Sequence, residues 1–163
     1  MSDNLLSSLP VVPLLVAVSG HRDLVPNEIE GIRKSVRDFF KNLQNEFPGR
    51  PLQLLSPLAE GADQLAAEEA LALGISLVCI LPMSLDRYLE SFSSPDALAS
   101  FHAIYDRADA VYTLSMPSYT EHPDLHTKYS INQAAYAELA IYLCKHCHIL
   151  LAIWDGKMVD DIG

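Results

Sequence analysis

Two short segments carry residue types suited to holding anions and sugar hydroxyls. In Val16-Ala17-Val18-Ser19-Gly20-His21-Arg22-Asp23 an apolar run stops at Ser-Gly and a basic residue follows. That order suits a strand–turn–helix phosphate cradle. Gly20 lets the backbone approach a ligand, the turn and helix start offer free N–H groups, and Arg22 adds a charged fork. The simpler alternative is a strand-ending turn whose Arg22 pairs with Asp23 or Glu28 on the surface. In Ser56-Pro57-Leu58-Ala59-Glu60-Gly61-Ala62-Asp63 a second apolar run ends and a second helix opens. Glu60, Gly61 and Asp63 suit ribose hydroxyls, which a carboxylate accepts well. Against that stands an Asp63 that merely favours its helix N-terminus through the dipole. Glu60 as a general base is a further step.

The elements that must position these residues follow from the hydrophobic pattern. Leu14 to Ser19 is short, rich in Val and Leu, and bounded by Pro13 and Gly20, which predicts a buried strand. Pro26 suits a first helical turn, and Ile29, Ile32, Val36, Phe39, Phe40, Leu43 and Phe47 form one apolar face up to Pro48-Gly49. Leu52 to Ser56 predicts a second strand, and the small-residue face of Ala62, Leu65, Ala66, Ala70 and Leu73 a helix stopped by Gly74. Ile75 to Leu81 is a third strand, ended by Pro82. Leu85 to Phe92 reads as a short helix, and Ser94-Pro95 as the cap and first turn of one running to about Arg107. Ala110 to Ser115 is a fourth strand, Met116 to Lys128 a polar loop, Tyr129 to about Lys145 a helix, and Ile149 to Trp154 a fifth strand.

Near-continuous apolar strands alternating with helices imply an α/β fold: one doubly wound, mostly parallel sheet with helices on both faces. In such sheets ligands bind beyond the carboxyl ends of the strands. Ser19, Gly20, His21, Arg22, Glu60, Gly61, Asp63, Pro82, Asp155 and Gly156 all belong to those ends, which makes them the candidate ligand-binding set.

Length and composition set outer limits. With 163 residues, half hydrophobic and a fifth charged, the chain reads as one globular domain over residues 1–163. The formal net charge of −10 counts against duplex DNA or an anionic membrane as a partner, while eleven Lys and Arg suffice to line one pocket. No basic segment precedes the apolar residues of Met1 to Leu9, and no apolar run approaches a membrane span, so a cytoplasmic location is expected. Three cysteines without framework spacing fit a reducing compartment.

Taken together, Ser19-Gly20-His21-Arg22, then Leu58-Ala59-Glu60-Gly61-Ala62-Asp63 with Ala66 and Ala67, then Ile80-Leu81-Pro82 and Ala152-Ile153-Trp154-Asp155-Gly156, resemble the SLOG superfamily. That superfamily includes the LOG family, once described as lysine decarboxylases, and the DNA-processing protein A family. The resemblance runs over roughly residues 12 to 163 and extends to Tyr88, Phe92 and Tyr129. It implies a Rossmann-like pocket for a nucleotide or nucleotide-derived ligand, with sensing or binding as the expected role and a homo-oligomer as the expected assembly. The alternative it implies is a LOG-like phosphoribohydrolase that cleaves the N-glycosidic bond of a nucleoside monophosphate. LOG enzymes carry a Gly-rich loop with Thr and a catalytic Glu after the late strand, and here the sequence ends at Asp160-Asp161-Ile162-Gly163, about where that loop should begin. A shortened chain and a relative without the loop both fit, so whether a reaction is catalysed stays open. Pro57 stands where relatives favour Gly and removes one N–H donor. A DNA-processing role is disfavoured by the acidic balance and the lack of a basic stripe. A protein-interaction module with a vestigial pocket is the remaining reading.

No cofactor and no metal are expected. Cys144-Lys145-His146-Cys147-His148 spells the haem-attachment pattern, but it lies at a helix end running into a buried strand, where Cys144 and Cys147 are expected to fill core space. His122, Asp124 and His126 lack further ligands for zinc nearby. Trp154 can stack on a base or serve as a core or lid residue. Of the tyrosines, Tyr129 is the candidate at the pocket side, while Tyr105, Tyr112, Tyr119 and Tyr136 read as core or surface.

Overall fold

The structure, a computed structural model, describes residues 11–115 and 131–156. Five parallel strands form one sheet: β1 (Leu14–Gly20), β2 (Leu52–Ser56), β3 (Ser76–Leu81), β4 (Ala110–Thr113) and β5 (Ile149–Ile153). Their order is β4-β3-β2-β1-β5. The chain therefore steps outward from β1 to β4 and then returns across the sheet to place β5 on the far side of β1. The two neighbours of β1 are registered by Val16 opposite Leu54 and Val18 opposite Leu151. The expected doubly wound α/β architecture is what the sheet shows, and β1 beside β5 is its topological switch point.

Helices α1 (Ile29–Glu46), α2 (Ala62–Ala72), α3 (Leu85–Leu89), α4 (Pro95–Tyr105) and α5 (Ile131–His146) cover the sheet. On one face α1 and α2 bury the larger core. Val36, Phe40 and Leu43 of α1 meet Val16, Val18 and Leu54 of the sheet. Fully burying side chains of this kind stabilises by about 1.5–3 kcal/mol each before entropy is counted. Helix α2 is buried nearly all round because Ala62, Ala66, Ala67 and Ala70 let it approach β1 closely. On the other face Leu139 and Leu143 of α5 pack on Ala17, Leu55, Val78 and Ile80.

Local chemistry sets the element ends. The Ser94 side chain accepts from the Ala97 N–H at 3.1 Å with Pro95 in the first turn, as the sequence predicts for the start of α4. Gly74 takes φ +70° just past α2, the left-handed stop that glycine permits. The first long helix opens at Ile29 rather than at Pro26, which sits in a turn before it. Glu69 of α2 is buried and accepts from Arg37 at 2.7 Å and from Arg33 at 3.0 Å, bolting α2 to α1. Burial opposes its charge, and the arginine hydrogen bonds outweigh it, holding the carboxyl below its usual range. No helix among the described residues is long and apolar enough to cross a membrane.

Candidate functional site

A cavity of about 160 Å³ opens at the carboxyl end of β1, between that strand end, the turn after β2, and α5. Ser19, Gly20 and Arg22 line it from the first turn, Pro57, Ala59 and Asp63 from the second, Tyr88 from α3, and Tyr136, Leu139, Ala140, Leu143 and Cys144 from α5. One end is polar and the other apolar.

The polar end gathers Arg22, Asp63, Tyr88 and Tyr136. Arg22 is half-buried; its Nη1 donates to the Ser91 carbonyl at 3.2 Å, and its guanidinium carbon lies 5.5 Å from the Tyr136 ring centroid. That places the cation within reach of the ring's negative face. Burial works against the guanidinium charge, yet interaction with Tyr136 and the nearby Tyr88 and Asp63 outweigh it and hold the Arg22 pKa above its usual value. Asp63, in the first turn of α2, is 5% exposed. Burial pushes its carboxyl up to about 7, against a hydrogen bond from the Ala59 backbone and the charge of Arg22, both of which favour the ionised form.

Tyr88 is wholly buried, held edge-on by Phe92 at 5.5 Å and Phe101 at 6.0 Å between ring centroids. Its hydroxyl has no hydrogen-bond partner among the described residues. Leaving such a group unsatisfied costs about 1–3 kcal/mol. Burial first, and then the charge of Asp63, drive its pKa well above the usual tyrosine value, so the hydroxyl keeps its proton as a donor. A cleft that gathers a buried carboxyl of raised pKa, a cation and an unpaired hydroxyl has the physical marks of a functional site.

The second turn supplies Asp63 at the expense of its own backbone. Leu58 is fully buried at φ +59°, a left-handed conformation that a leucine adopts only when its surroundings enforce it. Two hydrogen bonds do so: the Leu58 N–H donates to Ser56 Oγ at 3.0 Å, and Gln64 Nε2 donates to the Leu58 carbonyl at 3.3 Å. Gly61 takes φ +86°, and a Cβ there would collide with the carbonyls of Arg22 and His21. The Ala62 N–H donates to the His21 carbonyl at 3.0 Å, so the two turns are tied together. At Gly20 a Cβ would come within 2.6 Å of Ala62 Cβ and of the Ile153 carbonyl. Gly20 is thus required by close packing of α2 and β5 on β1.

The remaining sequence candidates fall around the cavity. Glu60 accepts from the Ser93 hydroxyl at 2.7 Å and from the Ser93 N–H at 3.2 Å, and it lines a shallow surface depression with Gly61. His21 and Asp155 approach to 3.2 Å on the α1 side of β1, in a groove that Trp154 shares. Pro82 is buried and does not line the cavity, and Gly156 follows β5 at φ +83°. Tyr129, His122, Asp124 and His126 lie outside the described residues. The expectation that Cys144 fills core space is corrected: it is exposed, at the cavity wall, because its position on α5 follows Leu143 round the helix and out of the sheet contact. Cys147 is half-buried against the smaller core. Among the described residues no cluster of His, Cys, Asp or Glu could hold a metal ion.

Sequence reasoning missed Tyr88 and Tyr136 as wall residues. The signal for Tyr136 was its spacing of three, four and seven from Leu139, Ala140 and Leu143, one helix face.

No family model matches the chain, and no curated protein does. Solved structures resemble it, two of them as follows. DNA processing protein A from Streptococcus pneumoniae is 20% identical, with 91% of this chain and 52% of that chain covered and a TM-score of 0.44. DNA processing protein A from Helicobacter pylori is also 20% identical, with 91% and 68% covered and a TM-score of 0.43, and is described for its single-stranded DNA binding mode. This chain spans about half the length of the first structure. The expectation that nucleic acid is an unlikely partner is corrected here, because a structure found among the similar ones is described for its single-stranded DNA binding mode. The physical reason is that a net charge of −10 averages over the whole surface, whereas one cleft binds through its local field.

Proposed function

We propose that the chain is a SLOG-like domain that binds a nucleotide or nucleotide-derived small molecule at the carboxyl ends of β1 and β2. The observation that carries this reading is the convergence of Ser19, Arg22 and Asp63, from two turns distant in sequence, on one cavity beside the switch point of the sheet. Leu139, Ala140 and Leu143 give that cavity an apolar wall against which a base can lie. Binding is the role proposed. The acid that lines the cavity, Asp63, is buried beside a cation, an arrangement that holds a ligand and does not by itself supply the pair of groups that glycosidic cleavage needs.

The test is a thermal-shift screen of nucleoside monophosphates, cyclic nucleotides and ADP-ribose, with a short single-stranded oligonucleotide as a comparison, on the wild type and Arg22→Ala. A ligand that binds the folded state raises the melting temperature by mass action. A shift for one small-molecule class that disappears in Arg22→Ala supports the reading. A shift with the oligonucleotide alone, or none with any small molecule, removes it.

A further inference from the structure

The polar side chains of the cavity do not form an anion site of the ordinary kind. Arg22 is the cation, but Asp63 lines the same wall and its charge already acts on the guanidinium. A phosphate at this end would sit beside the Asp63 carboxyl, and like charges so close cannot both stay ionised without cost. The Tyr88 hydroxyl, fully buried and without a partner among the described residues, lies near Asp63, Tyr136 and Arg22. It asks for an oxygen that can accept its proton, and the Asp63 carboxyl asks for a hydroxyl that can donate. A neutral group that does both at adjacent atoms is a vicinal diol. The space agrees: about 160 Å³ is below the ~300–1,000 Å³ of a pocket that swallows a whole ligand, and suits one ring with the rest projecting from the mouth.

We infer that the polar end of the cavity receives the uncharged ribose diol of the ligand, bound between the Tyr88 hydroxyl and the Asp63 carboxyl, and excludes its phosphate. This rests on the nucleotide reading above and adds which part of the nucleotide goes in. Tyr88 is a specificity residue here because its hydroxyl has nothing else to bind among the described residues. Phe92 and Phe101 fix the ring, so the donor is oriented before the ligand arrives.

The experiment is calorimetric titration of the wild type, Tyr88→Phe and Asp63→Asn with the four ribonucleoside monophosphates, their 2′,3′-dideoxy counterparts, and inorganic phosphate. Tyr88→Phe keeps the packed ring, and Asp63→Asn gives an independent variant should either fold poorly. The expected result is a ribonucleotide whose dideoxy form binds at least about tenfold more weakly to the wild type. In Tyr88→Phe that ratio should collapse toward one, and in Asp63→Asn it should fall less far because the amide oxygen still accepts, with inorganic phosphate failing to compete. Equal binding of the ribo and dideoxy forms, a ratio that neither variant changes, or competition by phosphate overturns the inference and leaves the nucleotide reading standing. No binding by any monophosphate overturns the inference, and no shift with cyclic nucleotides or ADP-ribose either ends both.

Discussion

The turns after β1 and β2 both leave a parallel strand at a serine and both pass a glycine before a helix, yet they treat their backbones in opposite ways. After β1, Ser19 is exposed at the cavity and Arg22 reaches across it. After β2, Ser56 is buried and accepts from the Leu58 N–H, Leu58 is held left-handed, and the Ala62 N–H donates to the His21 carbonyl. The second turn is consumed in supporting the first and delivers a single polar side chain, Asp63, to the cavity. Matching sequence layouts therefore do not make matching cradles. One turn offers a surface to a ligand and the other is the scaffold that holds it.

The largest expected effect tests that scaffold. Gly61→Ala adds a methyl into the carbonyls of Arg22 and His21 at φ +86° and should cost about 3–5 kcal/mol, a large part of a domain's stability, read by urea denaturation. Gly49→Ala is the control, since its φ is +80° with nothing within 4 Å, and should cost only about 1–2 kcal/mol. Equal costs for the two would mean that the turns are not locked together and would dissolve the contrast.

The next effect reads the one group the second turn donates. The Asp63 carboxyl titrates near about 3.9 in an unfolded chain and at about 7 here, so the folded state holds its proton more tightly. The contribution of Asp63 to stability should therefore fall as pH rises from about 4 through about 7 and level off above. Asp63→Asn cannot ionise. It should match the wild type near pH 4 and be more stable at pH 8 by about 2 kcal/mol, with about 4 kcal/mol as a ceiling, followed as melting temperature against pH. A difference between the two proteins that does not change with pH would show that Asp63 is not buried as described. Arg22→Gln sharpens the same point. Removing the charge that favours ionised Asp63 should move the carboxyl titration, followed by carbon NMR, to still higher pH. A titration that stays where it is would separate Arg22 from Asp63 electrostatically.

The sequence made the scaffold easier to read than the site, and the reason is physical. Strand β2 falls on Leu52–Ser56 as the apolar run predicts, and the Ser94 cap and Gly74 stop are where their side chains require, because periodicity and capping are local. The site depends on which turns meet, and that is set by the return of β5 to the far side of β1. A one-dimensional pattern could place Arg22 and Asp63 at strand ends but could not tell that Glu60, three residues before Asp63, points away to Ser93. Tyr88 was equally obscured, since a tyrosine among Phe92 and Phe101 reads as core until its hydroxyl is found without a partner.

Glu60 yields the smallest effect and the sharpest division between support and contact. It is half-exposed, and both carboxylate oxygens sit 2.7 Å from the Ser93 hydroxyl, clasping the link between α3 and α4 against the second turn. Hydrogen bonds open to solvent contribute little, because water replaces them, so Glu60→Gln should change stability by less than about 1 kcal/mol. The amide still accepts from Ser93 through its oxygen. A ligand in the cavity should bind Glu60→Gln as it binds the wild type, since Glu60 lines the outer depression and Asp63 the cavity. Parallel titrations of the two proteins with one nucleotide check this. A tenfold weaker Glu60→Gln would bring the second turn's outer carboxylate to the ligand, and that turn would be a cradle after all.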